Sequence, residues 1–81
     1  MNEKNEGYEI IAREIYSVSK QGQQEGIALG RNETMFVTWS FTVWPLKDGH
    51  SKTDYYWGHY FSDKASARAD YHRRLLEKYE Q

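Results

Sequence analysis

The residues best able to do chemistry in this chain are its aromatics, three Trp, seven Tyr and three Phe among 81 residues, because so many fall on alternating, strand-like segments. In an extended segment, Met35, Val37, Trp39, Phe41 and Val43 share one side, while Phe36, Thr38, Ser40, Thr42 and Trp44 share the other. The first set reads as core. The second set, joined by Tyr56 and Tyr60 of the following segment, then reads as an open face whose rings are interleaved with hydroxyls. Such rings can pair across strands and steady the sheet, contributing about 0.2–1 kcal/mol per pair. They can also form a protein contact surface, since exposed Trp and Tyr are frequent hot-spot residues, or stack single-stranded bases at about 1–3 kcal/mol per base. The predicted binding set is therefore Phe36, Thr38, Thr42, Trp44, Tyr56 and Tyr60, with a protein partner or a second copy of the chain as occupant. Single-stranded nucleic acid is the alternative, with Arg73 and Arg74 touching phosphates.

Other chemistries find less support. Arg68, Arg73, Arg74 and Lys78 could grip phosphates, but Asp70 and Glu77 stand three or four residues from Arg73 and Arg74, a spacing at which local ion pairs answer the charge. The net charge of -1 gives no broad basic surface for nonspecific nucleic-acid binding. His50, His59 and His72 match no metal-ligand spacing, so no metal site is expected, and His72 reads as a core histidine. The absence of Cys removes thiolate catalysis, disulfides and Cys-based zinc, and it fits a reducing cytoplasm. Neither a G-x-S-x-G elbow nor a glycine-rich phosphate loop is present. The expectation is a non-enzymatic, cofactor-free protein, with no membrane span and no export signal in its polar N-terminus.

The elements that must position these residues follow from periodicity and turn chemistry. Residues 1–7 are polar and read as a disordered lead, leaving residues 8–81 as a single domain. Tyr8–Val18 reads as a strand in which the adjacent Ile10 and Ile11 imply a bulge, although Ile11, Glu14, Ile15 and Val18 also fit a helical period. After the QGQQEG loop comes a short strand at Ile27–Gly30, with Gly26 and Gly30 as turn residues, and then a hairpin turn in which Asn32 is able to take a left-handed conformation. The Met35–Val43 strand ends at Pro45, and an Asp48-Gly49 turn leads to a strand at Asp54–Phe61 that allows either face inward: with Tyr55, Trp57 and Phe61 inward, Tyr56 and Tyr60 join the open face, and the opposite choice exchanges Tyr60 for His59. Ser62 is the expected N-cap of a helix from about Asp63 to Tyr79, whose buried stripe is Ala65, Ala69, His72, Leu75, Leu76 and Tyr79. The predicted architecture is α+β: an antiparallel four-stranded meander, β-β-β-β-α, with the C-terminal helix packed on one face.

The stretch YYWGHYFSDKASARADYHRR, Tyr55 to Arg74, together with Val37-Thr38-Trp39, resembles small uncharacterised proteins encoded on conjugative elements and phages of Gram-positive bacteria. The resemblance covers about half the chain and implies an accessory role on a mobile element. Its matching positions are Trp39, Gly58, His59, Tyr60 and Phe61.

Overall fold

A meander of antiparallel strands forms because each β-rich segment is followed by a short turn that returns the chain beside it. The computed structural model describes residues 4–80. The strands are β1 (Lys4–Asn5), β2 (Tyr8–Val18), β3 (Gln24–Arg31), β4 (Phe36–Pro45) and β5 (Ser51–Phe61), followed by α1 (Lys64–Tyr79). They form one sheet in the order β1-β2-β3-β4-β5, so the expected four strands are five. The extra strand lies within the segment expected to be disordered, of which residues 1–3 fall outside the described residues. Lys4 and Asn5 pair with Glu9 and Tyr8 across a two-residue turn, where Glu6 and Gly7 both take positive φ, as a tight right-twisted hairpin requires.

Tyr8–Val18 is a strand, and its register against β3 slips between Ile10 and Ala12, the bulge implied by adjacent Ile10 and Ile11. Asn32 does not adopt a left-handed backbone. Its side-chain oxygen accepts from the amides of Thr34 and Met35 at 2.9 and 2.7 Å, an Asx turn that closes β3 to β4. No described helix is long and apolar enough to cross a membrane.

The helix covers the face opposite to the expected one. Val37, Trp39 and Phe41 are fully buried, as their apolarity demands, yet they lie on the helix-free side with Ala28, Tyr8, Ile10, Ile15, Val43 and Tyr55. They need no helix because β3 makes room for them. Gly26 pairs with Phe41 and Ala28 with Trp39, and a Cβ on Gly26 would stand 2.6 Å from the Phe41 ring and 2.3 Å from the Glu14 carbonyl. Gly26 and Gly30 are thus strand residues that let the β4 rings lie flat on β3, not turn residues. Tyr8 meets Trp39 edge-on at 5.6 Å, Tyr55 tilts against both Trp39 and Phe41, and the Arg13 guanidinium sits 5.2 Å above Phe41. This aromatic layer forms a core of its own.

On the other face α1 lies over Ile27 and Leu29 of β3, with Ile11, Ala12, Tyr16, Phe36 and Phe61 around them. Its buried residues are Ala67, Asp70, Tyr71, Arg74 and Leu75, a stripe at i, i+3, i+4, i+7 and i+8. The apolar stripe drawn from the sequence is therefore rotated. Of its members only Leu75 is buried; Leu76, Tyr79, Ala65, Ala69 and His72 face solvent, and His72 rests edge-on against Tyr71. The physical reason lies in the sheet. Thr38 and Ser40 present hydroxyls to the helix, and a helix packed on hydroxyls needs polar partners at the seam. Asp63, not Ser62, is the N-cap, accepting from the Ser66 amide at 2.8 Å.

Candidate functional site

Two ionisable residues, Asp70 and Arg74, are carried one helical turn apart on the buried stripe of α1, with only 7% and 8% of their surface exposed. Charges withdrawn from water must be compensated, and here the compensation runs through β4. The Arg74 guanidinium donates from Nη1 to the Thr38 carbonyl at 3.1 Å and to Thr38 Oγ1 at 3.0 Å, and from Nη2 to Ser40 Oγ at 2.9 Å. Thr38 in turn donates its hydroxyl to Asp70 Oδ2 at 2.5 Å. The threonine thus relays a hydrogen-bond chain from cation to carboxylate. His59 Nδ1 stands 2.9 Å from the same carboxylate oxygen, and because a carboxylate only accepts, Nδ1 carries the hydrogen. Arg73 completes the set by bonding Asp70 Oδ1 and, at 2.9 Å, Glu77.

The electrostatics follow these contacts. Burial works against ionising Asp70, but hydrogen bonds from Thr38, His59 and Arg73 outweigh it and hold its carboxyl below the usual carboxylate range. Burial lowers the Arg74 guanidinium from its usual value, against the pull of Asp70. Arg73, by contrast, is raised by its hydrogen bond and charge contact with Asp70. Every described buried side-chain polar atom has a partner.

The second component is a bulge in β5. Thr38 pairs with His59 and Ser40 with Tyr56, so Trp57 and Gly58 together oppose the single residue Trp39. Trp57 takes φ of 55°, the left-handed region that favours glycine. The bulge places Tyr56 and Trp57 consecutively on the helix side, their rings edge-on at 5.0 Å, while Gly58 lies beneath Trp39. Trp57 then walls a cleft of about 290 Å³ with Ser40, His59, Arg73, Arg74, Glu77 and Lys78. A larger hollow of about 410 Å³ lies between Lys4, Glu9, Arg31 and Glu33, but it holds no buried polar side chain and is the weaker candidate.

The expected open face does not exist as drawn. Phe36, Thr38, Thr42 and Tyr56 lie on the helix side, with Thr38 and Thr42 buried and Thr42 hydrogen-bonded to the Tyr56 hydroxyl at 2.7 Å. Trp44 is exposed at the end of that row and donates its indole N–H to Asp54 at 3.0 Å. Tyr60 lies on the opposite face, tilted against Tyr8 at 6.2 Å. The β5 bulge reverses the alternation between Tyr56 and Tyr60, so the two rings expected to share a platform stand on opposite sides of the sheet. Arg73 spends its charge on Asp70 and Glu77, as the helical spacing implied, and Arg74 is built into the helix–sheet seam.

Sequence reasoning missed Ser40, Trp57, His59 and Asp70 as a group. One signal was available, since an isolated glycine inside a strand, here Gly58, marks a bulge. Among the described residues no group of three His, Asp or Glu side chains could hold a metal ion. No protein-family model, curated protein or solved structure matches this chain, so the reading of the cleft rests on its own residues.

Proposed function

We propose that the protein is a small non-enzymatic interaction module that grips a protein partner along β5 and the adjoining cleft. The observation that carries this reading is Trp57. It is 71% exposed and held at φ of 55° on an edge strand. A left-handed backbone costs a bulky L-residue about 1–2 kcal/mol, and exposing a large ring forgoes its burial. Folding alone favours glycine at this position. A solvated Trp beside a polar cleft is the usual form of an interface anchor, and β5 adds an edge whose backbone can pair with an incoming strand. The polar groups of the cleft bond one another and tie helix to sheet. Ser40 accepts a hydrogen bond from Arg74, which holds its hydroxyl in the helix–sheet seam. A cytoplasmic, mobile-element accessory role rests on the Cys-free composition and on the resemblance of the Tyr55–Arg74 stretch.

The test is a parallel capture from an extract of the source cells with wild type, Trp57→Gly and Tyr60→Ala. The expected result is a discrete partner retained by wild type and by Tyr60→Ala, and lost with Trp57→Gly although that variant keeps its fold. Equal capture by wild type and Trp57→Gly refutes β5 as the centre. Loss only with Tyr60→Ala moves the interface to the aromatic layer opposite the helix.

A further inference from the structure

The cleft beside Trp57 is lined by a cation that no carboxylate bonds directly. Arg73 is answered by Asp70 and Glu77. Arg74 bonds only neutral oxygens of Thr38 and Ser40, and these contacts use three of its five N–H donors. Of the two remaining donors, Nε–H is not sealed in, since Nε makes no bond within the protein and no described buried side-chain nitrogen lacks a partner, and Arg74 itself lines the cleft. The site is built, because Arg74 and Ser40 are more than nine-tenths buried and both are fixed by the fold before anything binds. Preorganised donors of this kind cost a ligand little ordering entropy.

We infer that this cleft is an oxyanion site that takes a carboxylate, the anchor being an acidic side chain of the protein partner proposed above. The identity of the partner as a protein rests on that reading; the anion site stands on its own geometry. Charge decides between the oxyanions. Arg73, Arg74 and Lys78 supply three positive charges at the cleft, and Asp70 and Glu77 supply two negative ones. The surplus is one. A monoanion neutralises it, whereas a phosphate dianion leaves an excess negative charge beside Glu77 in a partly desolvated cleft. The guanidinium fork suits a carboxylate, and Trp57 offers an apolar wall for the methylene stem that carries it.

The 81-residue protein at pH 8, where inorganic phosphate is mostly dianion, and at constant ionic strength is titrated with sodium acetate and, separately, with inorganic phosphate, while the side-chain Nε–Hε signals of its arginines are followed by nuclear magnetic resonance. The expected result is a saturable shift at Arg74 and at the Ser40 amide with acetate, no saturable shift at Arg31 or Arg68, and weaker binding of phosphate. Arg74→Lys, which keeps a cation but not the fork, should weaken acetate binding about ten-fold. If that variant does not fold, the wild-type titration decides alone. Linear shifts of equal size at all arginines overturn the site. Saturable binding with phosphate tighter than acetate overturns the assignment to a carboxylate. Neither result depends on Trp57→Gly capture, so a cleft that binds acetate in a protein whose Trp57 proves dispensable separates the two proposals.

Discussion

Replacing Asp70 by Leu should cost this domain much of its stability, and replacing Arg74 as well should return a large part of it. Asp70 accepts from Thr38, His59 and Arg73 and exerts the strongest attraction on the buried Arg74. Its loss leaves the Thr38 hydroxyl without its acceptor and the buried Arg74 without its strongest counter-charge, a class of change that costs about 3–5 kcal/mol. At about 0.05–0.15 kcal/mol per residue, 81 residues give about 4–12 kcal/mol in all. The single substitution therefore consumes a quarter or more of the total and should lower Tm by about 12–40 °C, at about 4–8 °C per kcal/mol for a domain of this size. In Asp70→Leu/Arg74→Met both charges leave the seam together. Ser40 then loses its donor, at about 1–3 kcal/mol, while His59 and Arg73 are exposed enough to be met by water. Urea unfolding followed by circular dichroism measures all three proteins and the second single variant, Arg74→Met. The expected coupling between the two sites is about 2 kcal/mol or more, the double variant being more stable than Asp70→Leu alone. Additive losses, or a cost below about 1 kcal/mol for Asp70→Leu, would show that the Arg74–Thr38–Asp70 chain does not hold α1 to the sheet.

Trp57→Gly relieves about 1–2 kcal/mol of left-handed strain and gives back about 0.5–1 in backbone entropy and about 0.5–1.5 in its contact with Tyr56, so Tm should move by no more than about 12 °C; a larger fall in a thermal melt means the ring is structural. Asp70 has its carboxyl held low in the folded state, so its contribution to stability is present above the ordinary carboxylate value of about 4 and is lost as pH falls through the lower folded value. Asp48 and Asp63 are also held low, by backbone hydrogen bonds, and titrate in the same window. The Asp70 share is therefore the difference in urea midpoint between wild type and Asp70→Asn from pH 5 to pH 2.5, which should shrink as pH falls; a constant difference refutes it. Gly26→Ala should destabilise by about 1–3 kcal/mol or more, because its Cβ would meet both the Glu14 carbonyl and the Phe41 ring, and a neutral effect on the urea midpoint would mean that the β4 ring does not lie on β3 as described.

Local chemistry settled most of the secondary structure. Alternation in Met35–Val43, the proline after it, the Asp48-Gly49 turn and the paired isoleucines of β2 each act over a few residues, and each is found where those residues place it. The same alternation correctly separated Val37, Trp39 and Phe41 from Phe36, Thr38 and Ser40 as two faces. It could not say which face the helix covers. That was decided between strands: the small residues of β3 receive the rings of β4 and bury them without a helix, while Ile27 and Leu29, beside Thr38 and Ser40, give the helix its seat.

The candidate site was less legible for the same reason. Asp70 and Arg74 look like a solvated pair when only α1 is considered, and they become a buried seam because the sheet facing them offers Thr38, Ser40 and His59. Tyr56 and Tyr60 share the parity of an ideal strand in the sequence, but one residue inserted opposite Trp39 reverses the alternation between them. The sequence by itself placed β3, β4, β5 and the helix to within a few residues, since those depend on near neighbours along the chain, but it left strand and helix open over Tyr8–Val18 and missed β1. Only the tertiary structure decided which faces meet and what the cleft contains, since burial, pairing register and charge compensation depend on residues about 10 to 65 positions apart, such as His59 with Asp70 and Glu14 with Tyr79.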